Sequence, residues 1–245
     1  MFRKTLRRID SMAFFDHFAH GSPTQVGAWL EKLTKQREHI YISRFLRSSD
    51  AEILEIGPGQ GLLAQIFINS GFSRYDASEP NPRMNSQLSS IGIRTISNFI
   101  VPPIQAPDRS YDALILADVL EHLTDAEPAQ EFAKEAVRVL RPGGIVVIIS
   151  PDHLDWGGDF FNCDFTHNYV TTMRRVRQLL CDCGFRIAGR RYTYGPLSGS
   201  VGFLTSRCVK ALTFLASGAR SDDDKFYKLR LTFLRRLTII GIKES

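Results

Sequence analysis

The stretch AEILEIGPGQG, residues 51–61, decides how this chain reads. AEILEIG (51–57) is a short apolar strand, and GPGQG stops it. LLAQIFINS (62–70) follows at once as a helix ended by Gly71. A strand that turns through glycines straight into a helix asks whether further strand–helix units follow.

They do. RYDASEP (74–80) is a second strand entering a Pro-Asn-Pro turn, with a helix near 83–90 and a brief strand, IRTI (93–96). YDALILA (111–117) and IVVIIS (145–150) are apolar without alternation, as strands covered on both faces of a parallel sheet are. Thr124-Asp-Ala-Glu127 reads as a capping box, with Pro128 in the first turn of a helix that runs to Leu140 and is ended by RPGG (141–144). A helix over 172–183 stops at Gly184, and FRIAGRRYTY (185–194) and LTIIGIK (237–243) are two further strands. The alternation predicts an α/β fold: a doubly wound, mostly parallel, seven-stranded sheet with ligands at the carboxyl ends of the strands. Upstream, Val26, Leu30, Leu33, Ile40 and Phe45 mark an amphipathic helix over 25–47. The expected organisation is an N-terminal helical cap (1–50) before one domain (51–245), with 195–235 a helical insertion ahead of the last strand.

The composition sets bounds. With 245 residues, 43% hydrophobic and 23% charged, the chain can bury a core without staples, which excludes collagen-like, low-complexity and wholly disordered classes. No run approaches the roughly 20 apolar residues of a membrane-spanning helix. Cys163, Cys181, Cys183 and Cys208 form no CxxC pair and no Cys/His cluster, so idle thiols in a reducing compartment are expected. The basic start, MFRKTLRRIDSM, has no apolar core and is not a secretory signal; an Arg-rich transit peptide is the lesser alternative to a cytoplasmic protein. Residues 1–8 carry +4 and residues 225–236 carry +5, so the remainder is net −4 although the whole is +5. KFYKLRLTFLRR (225–236) places Phe226, Leu229 and Phe233 at helical spacing among five cations, after the apolar helix SVGFLTSRCVKALTFLASG (200–218). Such a segment suits an anionic membrane surface or a lipid-linked substrate; a helical cap with solvated cations is the plainer alternative.

The glycine turn carries the chemistry. Its spacing is GxGxG, not the GxGxxG of dinucleotide folds. Glu55, just before the glycines, would repel a diphosphate but suits a positively charged ligand. Glu79 ends the second strand 18 residues after Gly61, where a carboxylate can hold a ribose diol.

EIGPGQG (55–61), Glu79, YDALILADVLEHL (111–123) and RVLRPGG (138–144), in this order, resemble the class I S-adenosylmethionine-dependent methyltransferases. DFTH (164–167) and the helix ending CGF (183–185) are similar to the small-molecule, ubiquinone O-methyltransferase-like branch. The likeness covers about 50–194, with LTIIGIK matching the family's antiparallel last strand. It implies S-adenosyl-L-methionine as cofactor. Gly57 and Gly59 would line its methionine part, with Glu55 and Gly61 of the same turn also at the cofactor, Glu79 would grip the ribose, and Asp118 would sit near the amino acid end and sulfonium. The family's usual acid after the third strand is missing from SNFIVPP (97–103); Asn98 stands in toward the adenine, with Phe99 or Ile100 against the ring.

For the transfer itself, candidates for a general base are His167, then His122, then His153. Asp118, Glu121 and His122, at i, i+3 and i+4, would share one face of a helical turn. That trio resembles the acid, acid, His metal ligands of ubiquinone-type enzymes, but VLEHL is widespread in members without metal and none is assigned. WGGDFFNCDF (156–165) suits a lid or acceptor wall. The resulting reading is methyl transfer to a small-molecule hydroxyl of a sugar, quinone or other metabolite. Two alternatives are a nucleic-acid methyltransferase, disfavoured by the lack of an NPPY-type tetrad, and a non-catalytic cofactor-binding module.

Overall fold

A computed structural model describes residues 24–217 and 224–244. Helix α1 (Gln25–Ser43) starts where the Thr24 hydroxyl accepts the Gly27 N–H at 3.1 Å. Then follow β1 (Ile53–Ile56), α2 (Leu62–Asn69), β2 (Tyr75–Ser78), α3 (Pro82–Leu88), β3 (Thr95–Ser97) and β4 (Tyr111–Ala117). A 3₁₀ turn (Leu120–His122) leads to α4 (Ala126–Val139), β5 (Leu140–Pro151), the short helices α5 (His153–Trp156) and α6 (Asp159–Asn162), and α7 (Met173–Asp182). The chain closes with β6 (Phe185–Tyr194), β7 (Leu197–Ser198), α8 (Gly199–Ser217), α9 (Asp224–Thr232) and β8 (Arg235–Lys243).

The strands form one sheet in the order β3-β2-β1-β4-β5-β8-β6-β7. The first five are parallel, and β8 lies antiparallel between β5 and β6. Strand periodicity builds two cores, since alternate residues face opposite sides. Leu54, Ile56, Leu114, Leu116, Val146 and Ile148 pack with Phe132 of α4 and Val176 and Leu180 of α7. Ile53, Ala113, Ile115, Ile145, Val147 and Ile149 pack with Leu63 and Phe67 of α2 and Ile42 of α1. The doubly wound architecture is therefore as expected. The first parallel pairs bring the ends of β1, β2 and β4 side by side at one sheet edge.

Some local details differ. The sheet has eight strands because β7 adds a two-residue antiparallel pairing to β6. Asp125, not Thr124, caps α4, accepting the Glu127 N–H at 2.9 Å; it sits one residue nearer the first free N–H groups. RPGG does not separate helix from strand: β5 already starts at Leu140, which pairs with Tyr111, and the register shifts before Ile145 pairs with Ala113. The third strand lies at 95–97, set by pairing with Asp76–Ser78.

Three of the cations in 225–236 point inward. Arg230 pairs with Asp159 at 2.7 Å, Arg235 with Asp152 at 2.8 Å, and Arg236 with Glu38 at 2.9 Å. Lys228 is exposed, and so are Val201, Leu204, Leu212 and Leu215 along α8. Among the described residues no helix is long and apolar enough to cross a membrane. The basic residues 3–8 lie outside the described residues.

One buried charge site ties β1 to β2. Glu55, 2% exposed, accepts the Tyr75 hydroxyl at 2.9 Å. Burial pushes the Glu55 carboxyl up to about 7, against the opposing pull of that hydrogen bond. The folded chain thus keeps a proton that the unfolded chain releases at the ordinary 4.5. Its favourable share of stability is complete below that lower value and declines as pH rises toward the upper one. Glu55→Gln should therefore flatten the pH dependence of the urea midpoint between about pH 5 and about pH 8. Identical pH slopes for the two proteins would contradict this assignment.

Candidate active site

The turn after β1 is possible because glycine tolerates positive φ. Gly57, Gly59 and Gly61 have φ of +65°, +56° and +76°. Their surroundings differ. A Cβ on Gly61 would strike Ile91 at 2.4 Å and Leu88 at 2.5 Å, so this glycine lets α2 start against the end of α3. A Cβ on Gly59 would meet nothing within 4 Å among the described residues. Gly59 alone of the three borders open space on that side, while the missing Gly57 side chain faces Val119 at 2.7 Å.

Glu79 follows β2 directly and is 4% exposed. Its Oε2 accepts the Gly59 N–H at 3.2 Å and its Oε1 accepts the Asn81 N–H at 2.9 Å. Burial raises its carboxyl above the usual range, opposed by these two backbone bonds. Each oxygen makes one of these bonds and can accept more. Bend and carboxylate are thus in contact, at the edge where β1 and β2 end. This open cradle with its fixed carboxylate fits a nucleoside with a free diol.

Asp118 leaves β4 with φ +60° and an exposed side chain. Its Oδ2 accepts a hydrogen bond from the Arg236 guanidinium, which also donates to Glu38 Oε1 at 2.9 Å; Lys35 Nζ lies 3.1 Å from the other Glu38 oxygen. Although desolvation opposes it, the Arg236 and Lys35 charges hold the Asp118 carboxyl below its usual range. Lys35 and Glu38 come from α1 and Arg236 from β8. Sequence reading missed all three, because no local pattern marks a cation that pairs across 118 positions. Asn98 is exposed after β3. Phe99 is in the core, its carbonyl accepting the Ser78 hydroxyl at 2.8 Å, so Ile100, 57% exposed, is the apolar neighbour left for a ring.

The i, i+3, i+4 trio does not stay together. Asp118 turns to Arg236, whereas Glu121, His122 and His167 bring ligand-type atoms within 4.8 Å of one another. Glu121 is fully buried; its Oε2 accepts the Ser150 hydroxyl at 2.9 Å, and its Oε1 has no hydrogen-bond partner among the described residues. Burial, then the Asp118 charge, pushes Glu121 up to about 8. His122 is half-buried, with Nδ1 2.5 Å from Thr166 Oγ1. Burial, then the His167 charge, pushes it down to about 4. His167 is buried, its ring centroid 4.8 Å from that of His122 and its Nδ1 2.6 Å from the Phe160 carbonyl. His153 packs its ring on Phe160 and Phe161 at 5.3 and 5.5 Å. The loop before DFTH is helical in two short turns; Phe160 is buried, and Phe161 and Phe165 are 48% and 76% exposed.

Comparison with known proteins agrees with this geometry. A family profile described as a methyltransferase domain matches residues 29–188. The ubiquinone biosynthesis O-methyltransferase of Rickettsia bellii (strain OSU 85-389) is 33% identical over 105 residues, 41% of this chain and 42% of that protein. The chain thus spans under half the length of the curated relative. An S-adenosylmethionine-dependent methyltransferase of Archaeoglobus fulgidus superposes with a TM-score of 0.62 at 18% identity, covering 94% of this chain and 98% of that one. An N-methyltransferase of Haemonchus contortus bound to S-adenosylhomocysteine gives 0.63 at 14% identity, covering 96% and 60%. At these identities the two solved structures carry the fold alone. With the profile spanning most of the chain and the glycine bend and Glu79 in contact at the sheet edge, this chain belongs to the class I S-adenosylmethionine-dependent methyltransferases.

Proposed function

We propose that this protein transfers the methyl group of S-adenosylmethionine to a hydroxyl oxygen of a small molecule, a sugar, quinone or other metabolite. The observation that carries the reading is the Gly59–Glu79 contact beside open space, on the same sheet edge as the two histidines. The Rickettsia relative, an O-methyltransferase by name, supports oxygen as the attacking atom.

When bound, the cofactor supplies a methyl group on a positively charged sulfur, already reactive toward an oxygen nucleophile. The chain's own residues must align the partners and keep water out. Glu79 accepts hydrogen bonds from the ribose hydroxyls, and Gly57 and Gly59 let the amino acid part approach the backbone. Asp118 places negative charge near the ammonium and sulfonium, Glu55 adds to it in the fraction that is ionised, Gly61 shapes the bend, and Asn98 serves the adenine. His167, the first candidate from the sequence, is buried against Phe160, so the half-buried His122 beside it is assigned to take the proton of the attacking hydroxyl, ahead of His167. Glu121 is buried beside them, and no metal is invoked in this reading. The exposed apolar face of α8 beside Lys228 would suit an acceptor carried on a lipid or at an anionic membrane surface.

Purified protein added with cofactor to a cell extract should make one small molecule gain a single methylene mass; modification only of RNA would refute the small-molecule reading. Gly59→Arg should abolish binding of S-adenosylhomocysteine in calorimetric titration while the far-UV circular dichroism stays native, and unchanged affinity would move the pocket elsewhere. Glu79→Ala should weaken that binding by about 1.5–3 kcal/mol, the worth of hydrogen bonds to a charged group. Equal affinity for variant and parent would remove Glu79 from the ribose.

A further inference from the structure

DFTH reaches His122 through a hydrogen-bond chain whose direction can be worked out. Asp164 Oδ1 accepts the Thr166 backbone N–H at 2.8 Å, so this oxygen acts as an acceptor. The same oxygen lies 2.7 Å from Thr166 Oγ1, so the single hydroxyl proton is directed to it. Toward His122 Nδ1, 2.5 Å away, Thr166 Oγ1 therefore offers only lone pairs. Nδ1 must carry the ring proton, and in the neutral imidazole the lone pair then resides on Nε2. Asp164 and Thr166 are 8% and 7% exposed, which keeps water from competing for the chain. His167 faces the pair from the same loop and obeys the same logic, since the Phe160 carbonyl beside its Nδ1 can only accept.

We propose that Asp164 and Thr166 are positioning residues that lock His122 in its Nδ1–H tautomer, making Nε2 the atom that receives the proton of the acceptor hydroxyl. The inference rests on the proposed role of His122 as base. In the step, the acceptor oxygen forms a bond to the methyl carbon while the carbon–sulfur bond breaks with its electron pair left on sulfur. The hydroxyl proton moves to His122 Nε2 and later to solvent. The imidazolium so formed still donates from Nδ1 to Thr166, whose hydroxyl passes the influence of the Asp164 carboxylate to the ring. Among the groups facing His122, Asp164 and Asp118 favour its charged form, whereas burial and His167 disfavour it.

The test reads the tautomer directly. Protein labelled with ¹⁵N-histidine is observed by long-range ¹H–¹⁵N correlation, with the His122 signals assigned by their loss in His122→Asn. The parent should show His122 protonated at Nδ1. Thr166→Val, near-isosteric but without the hydroxyl, should move it to the Nε2–H form that unanchored imidazole favours, and Thr166→Ser should restore the parent pattern. Transfer from methyl-labelled cofactor into the small molecules of the extract should fall about tenfold or more in the Val variant and recover in the Ser variant. An Nε2–H parent, or a Val variant with an unchanged tautomer, overturns the lock; if the Val variant does not fold, the parent spectrum and Thr166→Ala decide instead. A shifted tautomer with undiminished transfer overturns the positioning role and removes His122 as base. A parent that transfers no methyl to any small molecule defeats the proposed function, and its spectrum still reports whether the chain sets the tautomer.

Discussion

The site depends on one constraint: β1 must end in a backbone turn that only glycine tolerates, so that the Gly59 N–H can face the carboxylate ending the neighbouring strand. β1 and β2 are paired in parallel from Ile53 with Tyr75 to Ile56 with Ser78, so their carboxyl ends emerge together. The fold itself makes the contact. A carboxylate held by two backbone N–H groups has little freedom to reorganise, which is the condition for gripping a diol without a large ordering penalty.

Charge is handled by enclosure. Arg236 joins Asp118 to Glu38, so that the start of β8, the end of β4 and helix α1 meet around one guanidinium. Lys35 sits close enough to Glu55 and Asp118 to influence both, and Glu38 acts on Glu55. The net charge of this region matters less than its arrangement. In the proposed reading, the acids at the cofactor end are kept beside cations, so a zwitterionic amino acid part would meet both signs there. The same inward pairing explains why a segment that reads as a basic surface is partly a structural clamp, with Arg230 and Arg235 bonded to the acids that flank α5 and α6.

The histidine pair shows how burial and hydrogen bonding divide the work. Burial, then the His167 charge, disfavours the protonated form of His122, while the anchored Nδ1 decides which nitrogen stays basic. Glu121 lies beside them, its carboxyl pushed up to about 8 by burial and then the Asp118 charge, which disfavours a second negative charge next to Asp118.

Much of this was legible in the residues alone, wherever the cause is local. Apolar runs such as YDALILA and IVVIIS announce strands covered on both faces, and glycine spacing announces the bend, because backbone torsions and side-chain alternation act over a few neighbours. The cap at Asp125 rather than Thr124 and the early start of β5 escaped that reading, since competing hydrogen-bond partners decide them. The pairing of Asp118 with Arg236, the split of the Asp118, Glu121, His122 trio and the reach of Thr166 to His122 were settled only by the tertiary structure. Those contacts join positions 118 and 44 apart, and nothing in spacing along a chain says which distant side chain the fold will carry into hydrogen-bonding distance.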